Sequence, residues 1–359
     1  MHLRTRTASL IALAGAAALV VAGSAGATAD PSQQTLNHTV LGPFQIALSN
    51  GSVYYTDGFQ GTVSKIAPGA DPVIASVQGE IAGVDLSHRG RVLAFTSSTQ
   101  SGTSLTIRRA GQKDVVADLS GYESSVNPDR HVTYGIIRHG NPCARKALSK
   151  LTGGPATYQG QVDSHPYQVT YLTHGSYAVA DAAGNAILRV GPHADDISTI
   201  AVLPRQPVRI TKAQAKALGA PDCVAGVTYA FEPVPTDVEK DGHGGLLVST
   251  LPGGPEDASL GARGSVYRIA PGGRVSRVAT GFAGATNLAV DREGAIFVTE
   301  HFAGKLTELF HGHRSTVAEI PRVVSVEAQG HNLYVGQLAD VDFSTNNVRS
   351  PGRIILIRR

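Results

Sequence analysis

The sequence predicts an all-β fold, a six-bladed β-propeller with four-stranded antiparallel blades, because one pattern of short strands recurs along the chain. In HPYQVTYLTHGSYAVADAAGNAILRV, from His165 to Val190, apolar residues alternate with polar ones, and a Gly or Asn stands at each break. This pattern is typical of strands joined by tight turns. Related stretches begin at Pro43, Ile81, Val234, Ala285 and Val324. Repetition at about 40 residues, with four short strands per unit, is typical of β-propellers.

The number of blades follows from the residues that end the second strand of each unit. These are Asp57, Ser97, Asp181, Thr250, Glu300 and Gln337. The long intervals beside Asp181 leave seven blades as an alternative. Six are favoured, because CARKALSKL and TKAQAKALG within those intervals have helical composition, and Thr211 and Gln214 can form a capping box. The last unit lacks a fourth strand, and QTLNHTVL near the N-terminus can supply it and close the ring.

The N-terminal residues MHLRTRTASLIALAGAAALVVAGSAGATAD predict a Sec-type signal peptide. Arg4 and Arg6 form its positive region, an apolar run follows, and the small residues ATA predict cleavage after Ala29. A membrane anchor is the alternative, but the apolar run is shorter than the roughly 20 residues of a membrane span. We therefore expect a secreted protein in which residues 30–359 form a single propeller domain.

Charge and cysteine content narrow the possible partners. The chain has 31 Lys and Arg against 28 Asp and Glu, and removal of the signal peptide leaves a net charge near +1. This charge, and the absence of any basic run longer than two residues, argue against nucleic acid as a partner. No later apolar run could span a membrane, and we expect a monomer. Cys143 and Cys223 predict one disulfide in an exported protein, with two free buried thiols as the alternative.

Polar residues concentrate at one face of the predicted propeller. The first and second strands of a blade are antiparallel, so the start of one and the end of the other lie at the same mouth of the central channel. The predicted mouth residues are Gln45, Asp57, Gln168, Asp181, Asp237, Asn287, Glu300 and Gln337. The long connections 120–164, 204–233, 251–264 and 338–352 open on this face too, and a Cys143–Cys223 disulfide would tie the first two into a cap over the third blade. Loops on a rigid scaffold often carry function.

The chemistry of these residues leaves two interpretations open. Carboxylate and amide oxygens suit Ca²⁺, and Asp237 and Asn287 are the candidate metal ligands. The alternative is that acids ending a strand, such as Asp57 and Asp181, form turns by accepting backbone N–H groups. His165 and His301 are isolated histidines, for which a structural or rim role is expected, and no zinc-ligand spacing, nucleophile elbow or phosphate loop is present.

Several phrases resemble the ScyD/ScyE family of secreted propeller proteins. HPYQVTYLTHGSYAVADAAGNAILRV, PVPTDVEKDGHGGLLVST, GSVYRIAPGGRVSRVATGF and NLAVDREGAIFVTE carry this resemblance over about residues 165–310. These blade motifs are shared with NHL repeats and gluconolactonase-like propellers. Gln168 and Asp237 replace glycines that are usual in the family. The gluconolactonase-like resemblance implies a divalent cation held by Glu, Asn and Asp at strand starts. Asp237 and Asn287 occupy such positions, but Gln45 stands where a Glu is required.

Three functions are compatible with these observations. The first is binding of a small molecule, glycan or protein at the mouth of the channel. The second is a Ca²⁺-dependent hydrolase of the lactonase kind, in which Asp181 or Glu300 would act as the base. The third, an oxidative or lyase step in secondary metabolism, rests on the family resemblance alone. The sequence leaves open whether the protein is an enzyme.

Overall fold

A computed structural model describes residues 33–87, 90–257, 259–342, 344–345 and 347–359. The predicted signal peptide, residues 1–29, lies outside the described residues. Within these ranges, none of the helices has the length and apolar character needed to cross a membrane.

The N-terminal half of the described chain begins with β1 (Gln33–Asn37), followed by two sheets. Sheet 1 contains β2 (Ile46–Ser49), β3 (Ser52–Asp57), β4 (Thr62–Lys65) and β5 (Val73–Ser76). Sheet 2 contains β6 (Gly79–Glu80), β7 (Val84–Ser87), β8 (Val92–Thr99), β9 (Gly102–Arg109) and β10 (Val115–Asp118). Both β6 and β7 pair with β8. Helix α1 (Leu119–Val126) follows, with Asp118 as its N-cap.

A separate sheet interrupts the series of sheets along the chain. We call this sheet, together with the helices between its strands, the cap. Its first part contains β11 (Thr133–Arg138), α2 (Pro142–Thr152) and β12 (Thr157–Gln159). Sheet 3 then follows with β13 (Pro166–Tyr171), β14 (Tyr177–Asp181), β15 (Ala186–Val190) and β16 (Ile197–Val202). The second part of the cap contains β17 (Gln206–Arg209), α3 (Lys212–Ala217), a 3₁₀ turn (Asp222–Val224) and β18 (Thr228–Phe231).

Three further sheets complete the chain. Sheet 4 contains β19 (Pro235–Lys240), β20 (Leu246–Thr250), β21 (Gly264–Ile269) and β22 (Val275–Phe282). Sheet 5 contains β23 (Ala285–Val290), β24 (Ile296–Glu300), β25 (Lys305–Phe310) and β26 (His313–Glu319). Sheet 6 contains β27 (Val323–Gln329), β28 (Asn332–Gln337), β31 (Arg353–Arg358) and the N-terminal β1, with the hairpin β29 (Asp340–Asp342) and β30 (Asn347–Ser350) before β31.

Sheets 1 to 6 follow one another around a common axis. Their first strands contact in a cycle, in the order β2, β7, β13, β19, β23, β27 and back to β2. Each pair of consecutive sheets encloses a cluster of buried apolar side chains, such as Val63 with Val84 between sheets 1 and 2. β1 pairs antiparallel with β31, which confirms the prediction that an N-terminal strand completes the last sheet. This pairing covers an edge that would otherwise be free to bond another chain.

The cap contains more structure than the sequence indicated. The predicted helices are confirmed as α2 and α3, and α3 has the expected capping box between Thr211 and Gln214. However, the two long connections also form the sheet β12-β11-β18-β17, with its own buried core. The predicted disulfide is confirmed, since Cys143 and Cys223 are bonded with their Cα atoms 6.1 Å apart.

Candidate functional site

An apolar cluster crosses the axis at the end where the long connections open. It contains Phe44, Ala82, Tyr167, Val324 and Leu338, and we call it the plug. Sheets 1 and 3 are not neighbours in the cycle, yet the rings of Phe44 and Tyr167 lie 5.6 Å apart. The mouth predicted from the sequence is therefore filled largely by apolar side chains.

Polar side chains beneath the plug connect the first strands to one another. The Nε2 of Gln168 donates to the carbonyl of Phe44 at 2.7 Å, and the Nε2 of Gln45 donates to the carbonyl of Val169 at 3.3 Å. Gly83 allows this close approach, because a Cβ there would lie 3.0 Å from the Cα of Gln168. Gln45 and Gln168 therefore hold sheets 1 and 3 together.

The two candidate metal ligands, Asp237 and Asn287, also form hydrogen bonds to the backbone of the first strands. The Oδ1 and Oδ2 of Asp237 accept the backbone N–H groups of Val238 at 2.7 Å and Leu288 at 2.9 Å. The Oδ1 of Asn287 accepts the N–H of Val326 at 2.7 Å. In the part of the chain that the structure describes, no three His, Cys, Asp or Glu side chains are grouped so that they could hold a metal ion. In this arrangement Asp237 and Asn287 join sheets 4, 5 and 6.

The remaining predicted mouth residues bond to the segment before the first strand of their own sheet. Asp57 accepts the N–H groups of Leu41 and Gly42, and Gln337 donates to the carbonyl of Pro321. Asp181 accepts hydrogen bonds from the N–H groups of His165 and Gly184 and from the hydroxyl of Ser164. Glu300 accepts hydrogen bonds from the N–H of Ala283 and the hydroxyl of Thr307. These are the turn-forming contacts that the sequence left as an alternative.

A cavity of about 220 Å³ lies further along the first strands, toward the end opposite the plug. Three carboxylates from three sheets line it, those of Asp85, Glu239 and Glu327, and we call them the channel acids. Lys240 also lines it, with its Nζ 5.8 Å from the ring centroid of Tyr171. Of the eight predicted mouth residues, Gln45 is the one that lines this cavity.

Burial raises the pKa of each channel acid, and nearby carboxylates raise the pKa values of Glu239 and Glu327 further. Burial and the nearby carboxylates of Asp85 and Asp237 raise the pKa of Glu327 to about 8, and Lys240 opposes this. Burial, Glu327, Asp237 and Asp85 raise the pKa of Glu239 well above its usual range. Burial raises the pKa of Asp237 to about 7 and that of Asp85 to about 6, although backbone N–H groups stabilise both anions. The cavity is therefore an acidic site that can exchange protons near neutral pH.

A regular signal in the sequence could have identified these acids. They follow a valine in three of the repeated units, as Val84-Asp85, Val238-Glu239 and Val326-Glu327. Side chains two residues apart on a strand lie on the same side, so Glu239 shares a side with the predicted mouth residue Asp237. Asp237 was predicted to face the mouth, whereas Glu239, two residues further along the strand, was missed.

His165 has a partner near the plug. Its Nε2 lies 2.6 Å from Glu80 Oε1, and both side chains are largely buried. Burial alone would lower the pKa of His165, but Glu80, Asp181 and Asp163 together raise it. By contrast, burial lowers the pKa of His301, whose Nδ1 donates to the carbonyl of Val323.

The sequence matches no protein-family model and no curated protein. Several solved structures are similar in fold. A gluconolactonase from Xanthomonas campestris has 10% identity and a TM-score of 0.55, over 91% of this chain and 89% of that one. The PQQ-bound aldose sugar dehydrogenase from Streptomyces coelicolor has 13% identity and a TM-score of 0.53, over 91% and 98%. A streptogramin B lyase has 12% identity and a TM-score of 0.51, over 91% and 97%. These neighbours are propeller proteins, and identities this low indicate a shared fold alone.

Proposed function

We propose that this chain is an exported six-bladed propeller that binds a small organic amine in the cavity of its central channel. The observation that carries the proposal is the convergence of Asp85, Glu239 and Glu327 on one cavity. A cation placed among them would relieve their mutual repulsion. The volume of about 220 Å³ suits a compact ligand of about the size of a monosaccharide.

Other features support the six blades and the export of the protein. The cycle of first strands and the N-terminal strand in sheet 6 support six blades. The signal sequence supports Sec-dependent export with cleavage after Ala29, and the disulfide fits an oxidising compartment. The ScyD/ScyE resemblance is compatible with this function. Mass spectrometry of the secreted protein would test the cleavage site, because a retained leader would add residues 1–29.

The Ca²⁺-dependent hydrolase receives less support from the geometry. Its proposed ligands, Asp237 and Asn287, direct their oxygens to backbone N–H groups of their own and of neighbouring strands. These two residues as arranged do not fit a resident cation, so we derive no catalytic step through one. An oxidative or lyase role rests on family and fold resemblance alone.

Isothermal titration calorimetry with 1,4-diaminobutane and glucosamine tests the amine proposal, with glucose and glucuronate as uncharged and anionic controls. We expect the amines to bind and to release protons, since a bound cation favours the ionised form of Glu327. The heat should then vary with the ionisation enthalpy of the buffer. Glu327→Gln should weaken binding at least about tenfold, because it removes one of three attracting charges.

The matched control is Glu319→Gln, which removes an exposed charge from the outer strand of sheet 5. It should leave amine affinity unchanged. Equal binding of glucose and glucosamine, or full affinity in the Glu327→Gln protein, would show that charge in the channel does not recognise the ligand.

A further inference from the structure

Positive and negative charges are divided unequally between the cap and the rest of the protein. The cap segments 133–159 and 206–231 carry seven Lys and Arg against a single acid, Asp222. The remainder of the predicted mature chain, from residue 30, carries 22 Lys and Arg against 27 Asp and Glu. The net charge near +1 is therefore the sum of +6 on the cap and −5 on the remainder.

The basic side chains of the cap are exposed and have no acidic partners. All seven are exposed to solvent, and none of them forms an ion pair in the described part of the chain. They are Arg138, Arg145, Lys146, Lys150, Arg209, Lys212 and Lys216. Like charges that share a surface without acids repel one another, so a bound anion would relieve this repulsion.

Two of these arginines lie side by side across the cap sheet. Arg138 is the last residue of β11 and Arg209 the last of β17, and both are paired with Thr228 of the strand between them. Residues directly opposite each other in antiparallel strands extend on the same face of the sheet. The two arginine side chains therefore leave one face, from backbones that two strand spacings place about 10 Å apart.

Both helices of the cap begin beside this pair of arginines. Helix α2 begins four residues after Arg138, and α3 begins three residues after Arg209. The two helices and the 3₁₀ turn pack on one apolar core, which includes Ala144, Ala215 and Val224. Lys212 and Lys216 are four residues apart and therefore lie on the same side of α3.

The lysines of α2 face away from that core. Ala144 and Leu148 are buried. Lys146 and Lys150 each follow one of them by two residues, which corresponds to a rotation of about 200° around the helix. The disulfide ties α2 to the 3₁₀ turn, so the positions of these charges are fixed relative to α3.

The composition of this surface favours a partner that is recognised by charge. Leu151 is the one exposed large apolar side chain of the cap, all of which the structure describes. Membrane-binding helices bury an apolar face, and the centre of a protein–protein interface is apolar. All four aromatic side chains of the cap are buried or half-buried, so none stands exposed to stack on the bases of single-stranded nucleic acid.

We propose that the cap binds an acidic polysaccharide through Arg138, Arg209 and the lysines of α2 and α3. A polymer of this kind carries repeated carboxylates, and the planar guanidinium group of arginine binds a carboxylate through two hydrogen bonds. Such a hydrated ligand needs no apolar pocket. The predicted export would bring the cap into contact with extracellular polysaccharides. This surface is separate from the channel and does not depend on the proposed amine binding.

Fluorescence anisotropy of a labelled oligogalacturonate, titrated with the mature protein, provides the assay. We expect binding at about 20 mM salt and a loss of affinity of at least about tenfold at about 200 mM salt, because salt screens exposed charges. The double variant Arg138→Gln/Arg209→Gln should weaken binding at least about fivefold, because two exposed ionic contacts are lost. Asp222→Asn should strengthen binding, because it removes the single acid of the cap.

The matched control is the double variant Arg274→Gln/Arg277→Gln. It removes the same charge from two exposed arginines that form no ion pair, at the outer strand of sheet 4. Its affinity should stay within about twofold of the parent, and a labelled uncharged maltodextrin should not bind. Thermal unfolding checks that all variants fold. Glu327→Gln should leave oligogalacturonate affinity unchanged, which separates this surface from the channel.

Three results would overturn the proposal. One is no binding of oligogalacturonate to the parent at about 20 mM salt, where exposed charges are screened least. Another is equal weakening in the two double variants, which would mean that net charge attracts the polymer and the cap does not. The third is tighter binding of a duplex DNA oligonucleotide, or of phosphatidylglycerol vesicles, at equal total charge, which would assign the cap to a different polyanion.

Discussion

Replacement of Glu327 by Gln should make the stability of the protein less dependent on pH. Glu327 is partly buried in the channel, and its pKa rises from 4.5 to about 8 on folding because of burial and the nearby carboxylates. Below about pH 4.5 the group is protonated in both states. Between pH 4.5 and 8 the unfolded chain loses this proton first, so the free energy of unfolding falls as pH rises.

The magnitude follows from the two pKa values. A rise from 4.5 to about 8 corresponds to roughly 5 kcal/mol at 1.36 kcal/mol per pKa unit. Glu327 is partly exposed to the cavity, and the repulsion is shared with Asp85, Asp237 and Glu239, so we expect about 2 kcal/mol to be measurable for Glu327 alone. This corresponds to a difference in Tm of about 3 °C.

Urea unfolding of the mature protein, followed by circular dichroism, would be measured at pH 5 and pH 8.5. The parent should lose about 2 kcal/mol more than Glu327→Gln over this range, and Glu319→Gln should behave as the parent. Identical pH dependence in the parent and Glu327→Gln would refute the reasoning. It would mean that Glu327 ionises without penalty and that the channel acids do not interact strongly.

Three other changes test separate parts of the structure. Cys143→Ser should destabilise the protein by about 2–5 kcal/mol and expose the cap to proteolysis first, since the disulfide closes a sequence separation of 80 residues; uniform cleavage of the parent and variant would contradict this. Gly58→Ala places a Cβ 2.1 Å from Phe44 Cδ2 and should lower the free energy of unfolding by about 1–3 kcal/mol through displacement of the plug, and an unchanged urea midpoint would exclude that contact. Glu80→Gln should lower the pKa of His165, measured by NMR titration of the ring; an unchanged pKa would show that their contact at 2.6 Å does not persist in solution.

Much of the fold could be predicted from local patterns. Alternation of apolar and polar residues predicted the strands, and β13, β14 and β15 lie within the stretch that first showed the repeat. The helical composition of two insertions predicted α2 and α3. The cap sheet was missed, because β11 pairs with β18 across a separation that includes all of sheet 3. Such pairing leaves no periodic signal in either segment.

The candidate sites were less predictable than the fold. Residues at the start of the first strands, such as Asp237, are correctly located in the sheets, but the sequence could not indicate which atoms their oxygens would contact. Whether Asp237 faces an ion or the N–H of Leu288 depends on how closely sheets 4 and 5 approach. Glu239 and Glu327 were missed, although each follows a valine near the start of the first strand of its sheet.

The sequence alone determined the all-β class, the strand pattern, the completion of the last sheet by an N-terminal strand and the cysteine pair. Each of these depends on a local residue pattern or on the number of strands or cysteines in the chain. The tertiary structure decided which end of the channel is filled by the plug and which acids share a cavity. These properties depend on distances of a few ångströms between segments far apart in the chain. They arise only when the sheets pack around the axis and burial strengthens the interactions between charges.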